Sequence, residues 1–225
     1  MTPRPHPDSR CRAAATLARV KGAIPPATVS RLPVYLRCLG DLPPGQSTCS
    51  SEQVAAIAGV NSAQVRKDLS HLGSRGVRGV GYSVQVLRDQ LRAALGLDRG
   101  YAVAIAGAGN LGAALGNYGG FAAWGFRLEG LFDTDPDKIG TEVGGHRVEA
   151  MTDLEEIVRL RRVTIGIVAT PASAAQLVAD RFVSAGLTAI LNFAPTVIQV
   201  PDHVTVRRVD LSTELQILTF HLKDK

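Results

Sequence analysis

The sequence predicts an α/β protein of two domains, and three observations carry that prediction. Residues 50–72 read as two short amphipathic helices joined by a tight turn; an apolar run at 102–106 leads directly into Gly107-Ala108-Gly109-Asn110-Leu111-Gly112; and strand-length apolar runs then alternate with helical stripes through the rest of the chain. At 225 residues, 45% of them hydrophobic and 20% charged, the chain has the length and composition for globular cores. No uninterrupted apolar stretch reaches the ~18 residues of a membrane span, and the basic N-terminus has no apolar segment behind it, so neither a spanning helix nor a secretory signal is expected. Cys11, Cys38 and Cys49 lack CxxC spacing and are odd in number. That pattern suits a reducing cytoplasm with no metal site, Cys38 being read as a helix packing residue.

Residues 1–21 are rich in Pro and Arg with little apolar periodicity, and read as a disordered basic tail. A first helix starts near Ile24, where Pro25 and Pro26 suit the first turn, and continues along Leu32, Leu36 and Leu39. Pro33 lies inside that stripe, at a cost in helix stability. Ser50 and Gln53 have the spacing of a capping box for a second helix that stops at Gly59. Asn61 can cap a third, again with a Gln three positions on, Gln64. In that third helix Val65, Leu69 and Leu72 face inward, leaving Gln64, Arg66, Lys67, Ser70 and His71 facing out. Gly73 to Tyr82 interleaves four glycines with Arg75 and Arg78 and reads as a short antiparallel hairpin. Helix-turn-helix followed by a basic hairpin is the winged-helix plan, assigned to residues 22–98 with a closing helix along Val84, Leu87, Leu91 and Leu95.

Residues 99–209 then read as a Rossmann domain. Strands at 102–106, 128–132, 163–169, 188–191 and 204–208 alternate with helices at 154–161 and 173–185, which means βαβ units and a parallel sheet covered on both faces. Residues 210–225 form a last helix with a stripe of Leu211, Leu215, Leu218 and Leu222.

The glycine motif follows a strand, opens a helix and has an acid, Asp133, 21 positions beyond Gly112 at a strand end. Gly107 permits the tight turn, Gly109 lets the backbone approach a pyrophosphate, and Gly112 lets helix and strand pack closely. The helix N-terminus offers unpaired N–H groups to the phosphates. Asp133 can accept from both ribose hydroxyls, and its neighbours Thr134 and Asp135 supply no cation for a 2′-phosphate, which favours NADH and NAD⁺ over their phosphorylated forms. Ala108, Asn110 and Leu111 complete the loop, and Thr170, Pro171, Asn192 and Phe193 at later strand ends are further cofactor candidates. Those strand ends are neutral, and His146 and His203 fall in loop-like stretches without an obvious partner. No general acid or base for hydride transfer is evident, so sensing without turnover is expected and no catalytic residue is assigned.

Charge is uneven along the chain. Lys and Arg number 13 against 6 Asp and Glu in residues 1–98, and 12 against 14 in 99–225, so +7 and −2 make up the net +5. Charge alone is as simply explained by a solvated basic face. Joined to the winged-helix plan it points to double-stranded DNA, with Gln64, Arg66, Lys67, Ser70 and His71 presented to a major groove and Arg75 and Arg78 to a minor groove.

From about Ile24 to Leu222 the chain resembles the Rex family of redox-sensing transcriptional repressors. The resemblance lies in Arg31-Leu32-Pro33-Val34-Tyr35-Leu36-Arg37, Val65-Arg66-Lys67-Asp68-Leu69-Ser70, Arg78-Gly79-Val80-Gly81-Tyr82, Gly107 to Gly112, Leu191-Asn192-Phe193-Ala194-Pro195 and Val209-Asp210-Leu211. It implies a homodimer with an exchanged C-terminal helix, DNA binding that tolerates NAD⁺, release by NADH, and a switch network at Arg37, Tyr118 and Asp210. A dimer reading an inverted-repeat operator follows. His71 and Arg75 stand where family members more often carry aromatic residues, and Val77 where they carry Thr. The rival readings are an NAD-dependent dehydrogenase with an N-terminal regulatory module, and a metabolite sensor in which NAD is structural.

Overall fold

The computed structural model describes residues 24–222, and the chain divides into two units, with the boundary along the sequence between Asp98 and Arg99. The expected disordered tail at 1–21, with Cys11, lies outside the described residues.

In the first unit, helix α1 (Pro26–Gly40) starts behind Pro25 and runs through Pro33. Pro33 is exposed, so the Val29 carbonyl that it cannot bond lies on a turn open to water, and the opposite face buries Leu32, Tyr35, Leu36, Cys38 and Leu39. Helix α2 (Ser51–Ala58) carries the expected reciprocal box between Ser50 and Gln53 and ends on left-handed Gly59. Helix α3 (Ser62–His71) follows after the short turn, burying Val65 and Leu69, with Leu72 buried at its end. Asn61 caps it as expected, its side chain accepting from Ala63 N–H, but the reciprocal half is missing because Gln64 bonds elsewhere. Helix α4 (Val84–Ala94) buries Val84, Leu87 and Leu91.

The expected hairpin is reduced to a closed loop. Val77 bridges Gly81, and the short strand β2 (Tyr82–Ser83) pairs antiparallel with β1 (Thr48–Cys49), the segment before α2. Gly73, Gly79 and Gly81 all take positive φ, a backbone that coils rather than extends.

The second unit holds a seven-stranded sheet in the order β5-β6-β4-β3-β7-β8-β9. These are β3 (Tyr101–Ala106), β4 (Phe126–Asp133), β5 (Glu142–Val143), β6 (His146–Ala150), β7 (Ile165–Val168), β8 (Ala189–Asn192) and β9 (Thr205–Arg208). All neighbours pair in parallel except β5 and β6, a hairpin that places His146 in a strand rather than a loop. Helix α5 (Asn110–Gly116) follows the glycine motif, and α6 (Gly120–Ala123) closes at Trp124. Helices α7 (Leu154–Leu160) and α8 (Ala172–Ser184) follow. Successive residues of β3 serve opposite faces, Ala104 and Ala106 in the cluster with Phe132, Leu154, Val178 and Phe182, and Val103 and Ile105 in that with Leu131 and Ile167.

Helix α9 (Leu211–Leu222) ends the described chain, and its leucine stripe stays 58–68% exposed. No helix among the described residues is long and apolar enough to cross a membrane.

Candidate functional site

A cleft of about 370 Å³ opens at the carboxyl ends of β3, β4 and β7, where a parallel sheet places its ligands. It is lined by Gly107, Gly109, Asp133, Lys138, Thr170 and Pro171 together with residues of α8. Gly107 has φ +102°, and a Cβ on it would stand 2.6 Å from the Ala169 carbonyl oxygen. A Cβ on Gly112 would stand 1.7 Å from the Gly107 oxygen, so the turn and α5 can close only around hydrogen. Gly109 is different: a Cβ there would meet nothing within 4 Å. Protein packing gives no reason for glycine at 109, whereas a pyrophosphate lying against the backbone does.

Two further observations fit a dinucleotide. Helix α5 has no side-chain cap, which leaves N–H groups of its first turn for a ligand. The buried Thr170 Oγ1 has no hydrogen-bond partner, and an orphaned buried hydroxyl is costly unless something else bonds it.

At the far end, Asp133 Oδ2 accepts from Ala108 N–H at 2.7 Å and from Lys138 Nζ at 3.3 Å, while Oδ1 accepts from Asp135 N–H at 2.9 Å. Burial pushes this carboxyl up, but the N–H bonds and the Lys138 ammonium outweigh it and hold it below its ordinary range. Lys138 also lies 3.5 Å from Asp135. Thr134 and Asp135 supply no cation, as expected, but Lys138, five positions on, does. The turn after β4 folds Lys138 back, with Lys138 N–H and Ile139 N–H both bonded to the Asp135 carbonyl.

The remaining cofactor candidates are placed differently. Asn192 spends its side chain on its own loop, donating to the Thr196 carbonyl and accepting from Ala194 N–H. Phe193 packs against the Val103–Ile105 cluster. Asn110 and Leu111 lie exposed on the first turn of α5. Of the implied switch residues, Arg37 is exposed near the end of α1, and Tyr118 is exposed with its ring edge-on to Phe121 at 5.3 Å. Asp210 accepts from Arg208 at 2.5 Å and from the Ser212 hydroxyl at 2.5 Å; the Ser212 bond is the main cause that holds its carboxyl below the usual range.

In the first unit, α3 presents Arg66, Lys67 and Ser70 to solvent, with His71 half-buried, and Arg75 and Arg78 lie on the exposed loop. Arg66 is not idle: its guanidinium donates to Ser51 Oγ at 2.9 Å and Glu52 at 3.0 Å. Ser70 Oγ bonds the Lys67 carbonyl.

Gln64 belongs to a cluster that the sequence reading missed. Buried Asp68 on α3 accepts from Arg31 Nε at 2.7 Å, Tyr35 Oη at 2.7 Å, Thr28 Oγ1 at 2.9 Å and Gln64 Nε2 at 2.9 Å. Burial pushes its carboxyl up, yet four donors hold it well below the usual carboxylate range. The same burial, then the bond to Asp68, pushes the Tyr35 phenol up to about 12. A signal was present: Asp68 lies three residues after Val65 and four before Leu72, on the inward face.

Residues 98–196 match the family model described as a CoA binding domain, and residues 23–70 match one described as a DNA-binding protein N-terminus. The chain is 58% identical over 203 residues to a redox-sensing transcriptional repressor Rex of Streptomyces avermitilis, covering 90% of this chain and 81% of that protein. Among solved structures it is similar to RSP in complex with β-NAD⁺ and operator DNA, at 38% identity and a TM-score of 0.83 over 91% of this chain and 94% of that one. For RSP in complex with β-NADH the values are 37% and 0.79, over 91% and 96%.

Proposed function

The chain belongs to the Rex family of redox-sensing transcriptional repressors, and from that membership we propose how its own residues act. It is a DNA-binding repressor that senses NADH against NAD⁺, holding its operator with NAD⁺ or no ligand and releasing it with NADH. The space beside Gly109, facing Asp133 across one cleft, is the observation that carries this assignment. Gly107 to Gly112 receive the pyrophosphate, Thr170 Oγ1 supplies a hydroxyl to it or to a ribose, and Asp133 accepts from the adenosine ribose. Pro171 borders the same cleft. Asn192 shapes the loop that follows β8, and Phe193 offers an aromatic ring at the same strand end. The bound dinucleotide would supply only its charge and ring state, since the titratable groups lining the cleft are tied in ion pairs: Lys138 with Asp133 and Asp135, and Arg181 with Glu155. That tethering supports sensing without turnover.

We assign residues 22–98 to DNA and 99–209 to the dinucleotide, and give the uncovered stripe on 210–225 to a second copy of the chain in a homodimer. On DNA, α3 lies in the major groove with Gln64, Arg66, Lys67, Ser70 and His71, and Arg75 and Arg78 reach the minor groove. To pass from mostly bound to mostly free, NADH must favour the released state by about 5.5 kcal/mol. Asp210 exchanging partners with Arg37 and Tyr118 is the bistable element assigned to that transition.

Fluorescence anisotropy of an A·T-flanked inverted-repeat duplex at fixed salt tests the function. Release by NADH, opposed by excess NAD⁺, is the expected result, and binding indifferent to both nucleotides overturns it. Glu52 offers a second check. Because it competes with phosphate for Arg66, Glu52→Gln is expected to tighten operator binding about threefold at low salt, with the gain shrinking as salt rises.

A further inference from the structure

Two cations line the cleft, and their circumstances differ. Arg181 is committed: its guanidinium grips the Glu155 carboxylate with two nitrogens and also donates to the Thr152 carbonyl. Lys138 is half-exposed and lies at longer range from two carboxylates, 3.3 Å from Asp133 and 3.5 Å from Asp135. An ammonium shared in that way stays ion-paired yet can turn toward a stronger acceptor, because its four-carbon stem lets three donors rotate. Asp133 is the group that would reject a phosphate on the adenosine 2′-oxygen, by charge and by leaving no donor for it. Lys138 therefore stands at the position from which a cation could receive such a phosphate.

We propose that Lys138 sets how strongly the cleft discriminates against 2′-phosphorylated dinucleotides, acting as the counter-charge that a 2′-phosphate would take in place of Asp133. This rests on the assignment of the cleft to NADH. In the unaltered chain Lys138 divides its charge between Asp133 and Asp135, which softens the rejection of NADPH without cancelling it. Neutralising Asp133 turns Lys138 toward the phosphate.

Isothermal titration calorimetry of the full chain with NADH and with NADPH tests this, far-UV spectra serving as the fold control. Lys138→Ala, and Lys138→Gln as a second variant, are expected to widen the ratio of NADPH to NADH dissociation constants about tenfold, the order of one charge-assisted hydrogen bond. The change should fall on NADPH, and Lys138→Arg should restore the original ratio. Asp133→Asn should narrow or invert the ratio, and Lys138→Ala in that background should abolish the gain. Equal weakening of both nucleotides by Lys138→Ala, or an Asp133→Asn gain that survives loss of Lys138, would overturn the proposal while the assignment of the cleft to NADH stands. Failure of the unaltered chain to bind NADH would instead overturn the assignment of the cleft, and this inference with it.

Discussion

Replacing Asp68 by Asn is expected to unfold the first unit at markedly lower urea concentration and to weaken operator binding, while NADH affinity, a property of the second unit, is unchanged. Asp68 is fully buried and receives donors from Thr28, Arg31 and Tyr35 on α1 and from Gln64 on its own helix. Asparagine keeps the shape but exchanges one acceptor oxygen for an NH₂ that faces donors. Removing one partner of a buried pair costs about 3–5 kcal/mol, and Arg31, whose side chain is 29% exposed and can rewet, places the expectation at the lower end. Equilibrium unfolding followed by far-UV circular dichroism measures it. The sign of the pH dependence follows from the lowered carboxyl: its contribution is complete above the unfolded value of about 4 and is lost as pH falls through the lower folded value. The unaltered chain should therefore lose stability in acid through this group, and Asp68→Asn should lose that part of the slope.

Substitutions at Gly109 and Gly112 are expected to separate the folding of the phosphate loop from its use. Gly112→Ala would put a methyl 1.7 Å from a backbone oxygen, so the loop must open, and both thermal stability and dinucleotide binding should fall. At Gly109 a Cβ has nothing within 4 Å and the φ of −75° is ordinary, so Gly109→Val is expected to keep stability within about 0.5 kcal/mol. The side chain would instead fill the space assigned to pyrophosphate. An overpacking cost of the order of 3 kcal/mol corresponds to about a 100-fold loss of NADH affinity. Operator binding should persist in Gly109→Val and no longer answer to NADH. Loss of response with unchanged NADH affinity would refute the loop's role as the phosphate cradle.

What the sequence made legible was local. The Ser50–Gln53 box, the Gly59 stop and the apolar faces of α3, α4 and the parallel strands depend on neighbours within a few residues, and each is present in the structure. Asp68 escaped because three of its donors lie 33–40 residues away, so a charged residue in a basic run looked solvated. Lys138 escaped because its approach to Asp133 depends on how the turn after β4 folds back. The β5–β6 hairpin is too short to leave a periodic signal, and the loop at 73–82 was read from composition when its glycines' positive φ decided it. Pro33 looked costly until its exposure showed that no buried acceptor was left unpaired.

Trp124, at the end of α6, is the chain's one tryptophan and belongs to the unit that begins at Arg99. The helix-turn-helix unit, with only Tyr35 and Tyr82 as fluorophores among its described residues, is dark when indole alone is excited. With indole excited, its melting is silent in emission, which follows the Rossmann unit, and registers in helical ellipticity, to which both units contribute. A change in ellipticity without a counterpart in emission thus belongs to the helix-turn-helix unit, and midpoints that fail to coincide would mark two cooperative units rather than one.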